Sequence, residues 1–331
     1  RAVKDGCTDA GVQTVTSVVE EEYEEYVDPN ADVWDGVSST PVTEINGIYT
    51  INTCAELKWI ADQVNNVDGS GGNSFSGKTV ILGNNLHLNN YDWSEIGENK
   101  GILNKYGDAY IDETYTFNGT FDGNGYKISG LRPYTICSEL TYGTFGRCGL
   151  FGFVSGATIK NLTISGVVAS HVGHGVGGIA GEAVNSTFEN CVSYARVSGN
   201  PERITEGGPR GGIVGVVKNC TIINCSNYGD VSGNGIIGGD YINVPCDSSI
   251  SYCTNYADVS GNGIASGEGN IVSYSINYGD VGSNGIASGE ESIVSYCTNY
   301  GEVGGNGIVG VGSASYCTNF GNVGANGIFG T

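Results

Sequence analysis

In the last third of the chain the apolar positions recur in units of about twenty residues, the signature of a solenoid rather than of a globular domain. The copies read NCSNYGDVSGNGI from Asn224, YCTNYADVSGNGI from Tyr252, YSINYGDVGSNGI from Tyr274, YCTNYGEVGGNGI from Tyr296 and YCTNFGNVGANGI from Tyr316. Stacked coils bring equivalent residues to about 4.8 Å, the spacing of paired strands, so each column predicts a ladder. Tyr194, Tyr228, Tyr256, Tyr278, Tyr300 and Phe320 form one column; Val197, Val231, Val259, Val281, Val303 and Val323 form another. Ile236, Ile264, Ile286, Ile308 and Ile328 form a third, which should point into the core. The Asn-Gly pairs before those isoleucines, Asn234-Gly235 through Asn326-Gly327, suit corners that need positive φ. An anchor column runs Leu162, Cys191, Cys225, Cys253, Ser275, Cys297 and Cys317. With leucine at its head it reads as a buried stack of small apolar thiols. Pairing between coils, such as Cys191 with Cys225 or Cys297 with Cys317, is the alternative.

Upstream the pattern changes. Residues 47–136 read as a cap region with the first coils. Thr53 can cap a helix over CAELKWIADQVNN, with Leu57, Ile60, Ala61 and Val64 on one face. The run TVILGNNLHL is strand-like, and FNGTFDGNGYKISGL sets Gly and Asn turns between alternating apolar residues. Residues 1–46 read as an extended arm and linker. There VQTVTSVVEEEYEEYV places Val15, Val19, Tyr23 and Val27 on one side, as an edge strand would, with an acidic helix as the competing reading. DPNADVWDGVSSTP reads as a loop.

Composition narrows function more than fold. The 56 glycines lack the every-third-residue period of collagen, and 20 tyrosines argue against a disordered tract. The net charge is −21, and no Lys or Arg follows Lys218, a surface that repels nucleic acid and anionic membranes. No stretch approaches the roughly twenty apolar residues of a membrane span. A chain without methionine that opens at Arg1 suggests a removed signal peptide. Eleven cysteines without a CxxC zinc pattern fit an oxidising, extracellular or cell-surface setting.

The run FNGTFDGNGYKISGL, followed by GLFGFVSGATIKNLTISG and by GGIAG and GGIVG turns, resembles the GLUG-motif repeat proteins of bacterial surfaces. It is similar to the repeat regions flanking immunoglobulin A proteases and to large adhesins. The likeness covers roughly residues 47–331 and is most specific at Gly149–Gly152. It implies an exported right-handed parallel β-helix. The fold expected is thus all-β, a right-handed parallel β-helix with a small N-terminal cap region containing one helix and an extended N-terminal arm. The repeats proper occupy 149–331, after a loop at 137–148.

Candidate chemistry is sparse. There is no HExxH motif, and the basic residues of the solenoid (Lys160, Arg196, Arg203, Arg210, Lys218) are few, so no enzyme is expected. His171 and His174 lack a third ligand nearby and read as a turn. Asp230, Asp258 and Asp280 stack with Glu302, which makes calcium a weak candidate against an outward, solvated ladder. Otherwise no cofactor is expected. Cys137 with Cys148, Cys220 with Cys246, and Cys7 with Cys54 or another subunit are the disulfide candidates. The leading functional expectation is a structural subunit that stacks head to tail into a filament. One end would be the arm (Val15, Val19, Tyr23, Val27) and the other the final coil (Val323, Ile328, Phe329). A surface adhesin or carbohydrate-binding module, taking host or matrix glycans on its Tyr and Asn ladders, is the alternative.

Overall fold

The structure, a computed structural model, describes residues 27–69, 72–97, 102–103, 109–110, 115–133, 146–170, 173–199, 208–240 and 245–328. Cys7, Val15, Val19, Tyr23, Cys137, His171 and Phe329 lie outside the described residues.

Three parallel sheets run side by side along one axis. The first starts at Asp32–Val33, passes through Leu86–His87, Lys127–Leu131 and Thr163–Ser170, and takes one short strand per coil down to Thr318–Asn319. The second runs from Ile48–Ile51 and Thr79–Leu82 to Ser313–Ser315, and the third from Phe151–Ser155 to Ala287–Ser288. Each strand pairs in parallel with its equivalent one coil away. This is a parallel β-solenoid, with one helix among the described residues.

The alternation that predicted strands is the alternation of burial. In Ile271–Ser273 and Ile293–Ser295 the central valine is buried and the isoleucine is exposed. In register, the coils advance by 28, 22, 22 and 20 residues from Asn227 to Asn319. Core composition follows this shortening. The earlier coils enclose Phe75, Phe117, Phe121 and Phe151, with ring centroids 5.3 to 6.4 Å apart. The later, shorter coils are filled by Cys, Val, Ala and Ile.

Helix α1 (Cys54–Val64) is held by a capping box: Glu56 N–H donates to Thr53 Oγ1, and the Glu56 carboxylate accepts from Thr53 N–H. Leu57, Ile60, Ala61 and Val64 face the core as the spacing required. The helix follows directly on Ile48–Ile51, the first strand of its sheet, so at this end it stands over the core.

Two local expectations fail. The stretch read as a loop after Val27 contains Asp32–Val33, which pairs with Leu86–His87, and Trp34, which is buried against Trp93. Its Asp and Gly content hid a two-residue strand whose stability comes from tertiary packing. The Asn-Gly pairs do not supply the positive φ. That falls at Asn161, Asn190, Asn224, Tyr252, Tyr274, Tyr296 and Tyr316, with φ of 50° to 56°. The glycine of each pair serves close approach instead: a Cβ on Gly285 would collide with the Gly307 carbonyl oxygen. Gly152 of the Gly-Leu-Phe-Gly motif is constrained the same way, its Cβ position lying 2.7 Å from the Gly97 carbonyl oxygen.

Candidate functional site

The tyrosine column is a continuous stack of exposed, near-parallel rings from Tyr194 to Phe320, with centroids 4.4 to 5.2 Å apart. A second stack, Tyr252, Tyr274, Tyr296 and Tyr316, has centroids 4.9 to 5.1 Å apart and is built from the residues at left-handed φ. Bulky residues rarely adopt that conformation, and ring stacking in every coil offsets its cost. In both stacks neighbours cover the ring faces, leaving edges and hydroxyls to solvent. At the last described coil the faces open: Tyr316 is 78% and Phe320 65% exposed, against 42% for Tyr228.

Two residues beyond the first stack, Asp258, Asp280 and Glu302 line a shallow groove of about 690 Å³ floored by Val281 and Val303. These carboxylates are exposed and do not converge. Asp258 accepts the N–H of Asp280 at 2.8 Å, and Asp280 accepts the N–H of Glu302 at 2.8 Å. Backbone donors thus hold Asp258 and Asp280 in line, and the Asn322 amide donates to Glu302. Among the described residues no three His, Cys, Asp or Glu side chains come together as metal ligands. His174 falls in the strand Gly173–Gly177 rather than in a turn.

Sequence reasoning missed the polar interior. Asn227, Asn255, Asn277 and Asn299 are fully buried, and each donates Nδ2–H both to a carbonyl two residues on and to Oδ1 of the next Asn, at 2.7 to 2.9 Å. A second amide column joins the Asn-Gly asparagines: Asn262 Oδ1 accepts both the N–H and the Nδ2–H of Asn284, as Asn284 does for Asn306. The signal was present, since Asn precedes the ladder Tyr or Phe in each of the five aligned copies, but a polar residue at an inward position reads as a turn. The buried Arg147–Glu182 ion pair, with the guanidinium 5.2 Å from the Phe153 ring centroid, was also not foreseen.

The cysteines depart from the disulfide expectations. Cys220 and Cys246 are separate buried thiols; Cys220 Sγ donates to the Ala183 and Lys218 carbonyls at 3.3 Å, and Cys246 Sγ faces the Ser266 carbonyl. Cys54 is likewise a free thiol, buried at the first position of helix α1, 3.3 Å from the Asp32 carbonyl oxygen. Burial pushes the thiols of Cys54 and Cys246 up to about 12 and that of Cys220 up to about 11. Cys148 is buried in Gly146–Cys148, and its candidate partner Cys137 is outside the described residues. Cys191, Cys225, Cys253 and Cys297 are buried in the anchor column, and Cys317 is half-buried. Most of these cysteines act as small core residues, so their number alone says less about an oxidising compartment than it suggested.

The two ends of the described solenoid differ. At one, helix α1 and residues 34–46 carry exposed Val37 (80%) and Ile45 (67%), with Val27 nearby in sequence and also exposed. At the other, the coil 313–328 continues the ladder on its inner edge, where Thr318 N–H donates to Cys297 and Tyr296 N–H donates to Ser315. By the same pattern Tyr316 and Val323 N–H and Cys317 and Asn319 C=O face outward along this edge. Val323 and Ile328 lie half-buried there.

No family model and no curated protein matches the chain. Among solved structures it is similar to a putative immunoglobulin A1 protease from Bacteroides ovatus, at 16% identity over 81% of this chain and 82% of that one, with a TM-score of 0.39. A likeness at that level transfers no activity, and the resemblance to GLUG-motif proteins rests on its residues.

Proposed function

We propose that the protein is a non-enzymatic structural solenoid that works outside the cell and assembles head to tail with further copies of itself. The observation that carries this reading is the register of the later coils: each offers its successor the same backbone groups, buried Asn amide and Tyr ring face, so one coil edge is a template for the next. The N-terminal end of the described solenoid offers exposed apolar side chains on a helix-covered surface, so the contact is heterologous and builds a linear polymer. An acidic body lacking Lys and Arg beyond Lys218, and so lacking trypsin sites there, suits an exposed and durable protein.

The glycan-binding alternative has less support, because sugar rings stack on aromatic faces and the ladders cover theirs. The experiment uses two blocked variants, Tyr316→Lys with Phe320→Lys, and Val37→Lys with Ile45→Lys. Each should sediment as a monomer alone, and an equimolar mixture should give dimers and nothing larger. Polymers from either variant alone, or no association of the unmodified chain at high concentration, would overturn the proposal.

A further inference from the structure

Cys297 and Cys317 form an isolated pair within the sulfur column. The register Thr298↔Thr318 sets them directly opposite on adjacent coils, where Cα atoms about 4.8 Å apart lie within disulfide range. Each sulfur is placed alike, donating to the carbonyl two residues back at 3.2 Å, so the two are aligned along the axis. Ser275 occupies the column position before Cys297 and separates this pair from Cys191, Cys225 and Cys253. Cys297 therefore has one sulfur neighbour in its column. Among the described cysteines Cys317 alone is not buried, so of the two thiols it is the one open to a reagent.

We infer that Cys317 is a thiol–disulfide exchange site, with Cys297 as the resolving thiol and a low-molecular-weight disulfide, RSSR, as the substrate. The Cys317 thiolate attacks one sulfur of RSSR; that S–S bond breaks, and RS⁻ leaves and takes a proton from water. Cys297 then attacks Cys317 Sγ in the mixed disulfide, its proton passing to the second departing RS⁻. Two electrons move from the pair to the small disulfide, two RSH are released, and the last two described coils are joined covalently. This inference is independent of the assembly reading, since it concerns a pair within one chain.

The test treats dilute full-length chain with oxidised glutathione under native conditions, then maps alkylated chymotryptic peptides by mass spectrometry. The expected result is loss of two thiols per chain, a Cys297–Cys317 cross-linked peptide and no retained glutathione. Cys297→Ser, which repeats the Ser275 solution in the same column, should instead keep glutathione on Cys317. A stable adduct on Cys317 of the unmodified chain, an unreacted Cys317, or a cross-link confined to Cys225 and Cys253 would each overturn the inference.

Discussion

The buried asparagines show most clearly what holds this protein together residue by residue. Each makes bonds along the axis and bonds within its own coil, so removing one breaks contacts in three coils. Asn277→Ala leaves the Gly279 carbonyl, Asn255 Nδ2 and Asn299 Oδ1 each short of a partner in the buried core. At about 1–3 kcal/mol for each unsatisfied group, a loss of about 3 kcal/mol or more is expected as a lower urea midpoint. Asn277→Asp should be worse, because it sets an unpaired carboxylate against the Gly279 carbonyl and Asn299 Oδ1 in the buried core. Arg147→Met strands the Glu182 charge and should cost about 3–5 kcal/mol, whereas Arg147→Met with Glu182→Leu should recover most of it. Beside Cys297 and the backbone donors of its turn, the Cys317 thiol is brought down to about 6. Iodoacetamide should therefore alkylate it well below neutral pH, its rate falling only as the pH drops through that value and the thiolate is protonated. In Cys297→Ser the inflection should move up toward the ordinary thiol range.

At the scale of elements, most of what the chain builds was legible because its repeats are local. The valine, isoleucine and tyrosine columns are the ladders of the structure, since a period-two pattern in a fixed coil has one way to face the core. Helix α1 was equally legible, from Thr53 and the spacing of Leu57 to Val64. Thr53→Ala should lower stability by about 1 kcal/mol, read as a shift in thermal midpoint. Three features resisted reading for one physical reason: their partners are distant in sequence. Asp32–Val33 is a strand because of Leu86–His87; the Asn-Gly glycines are small because a neighbouring coil passes close; Cys220 and Cys246 pack as core side chains in separate surroundings. Gly285→Ala tests the second of these. It should destabilise strongly, although the backbone at this position is unstrained, because the collision is with a carbonyl oxygen of the next coil.

The described coils stack along one axis, and each of the later ones is a template for the next. The lateral faces of this solenoid are ordered arrays of tyrosine edges and backbone-anchored carboxylates, and its ends are unlike each other. In the proposed assembly growth is heterologous and end to end, because the groups that stack one coil on the next run along the axis rather than across the sides. Electron microscopy of the unmodified chain at high concentration tests this most directly. The account predicts unbranched, single-width filaments that shorten on dilution and are absent when Tyr316 and Phe320 carry Lys. A field of uniform single particles at every concentration would contradict it.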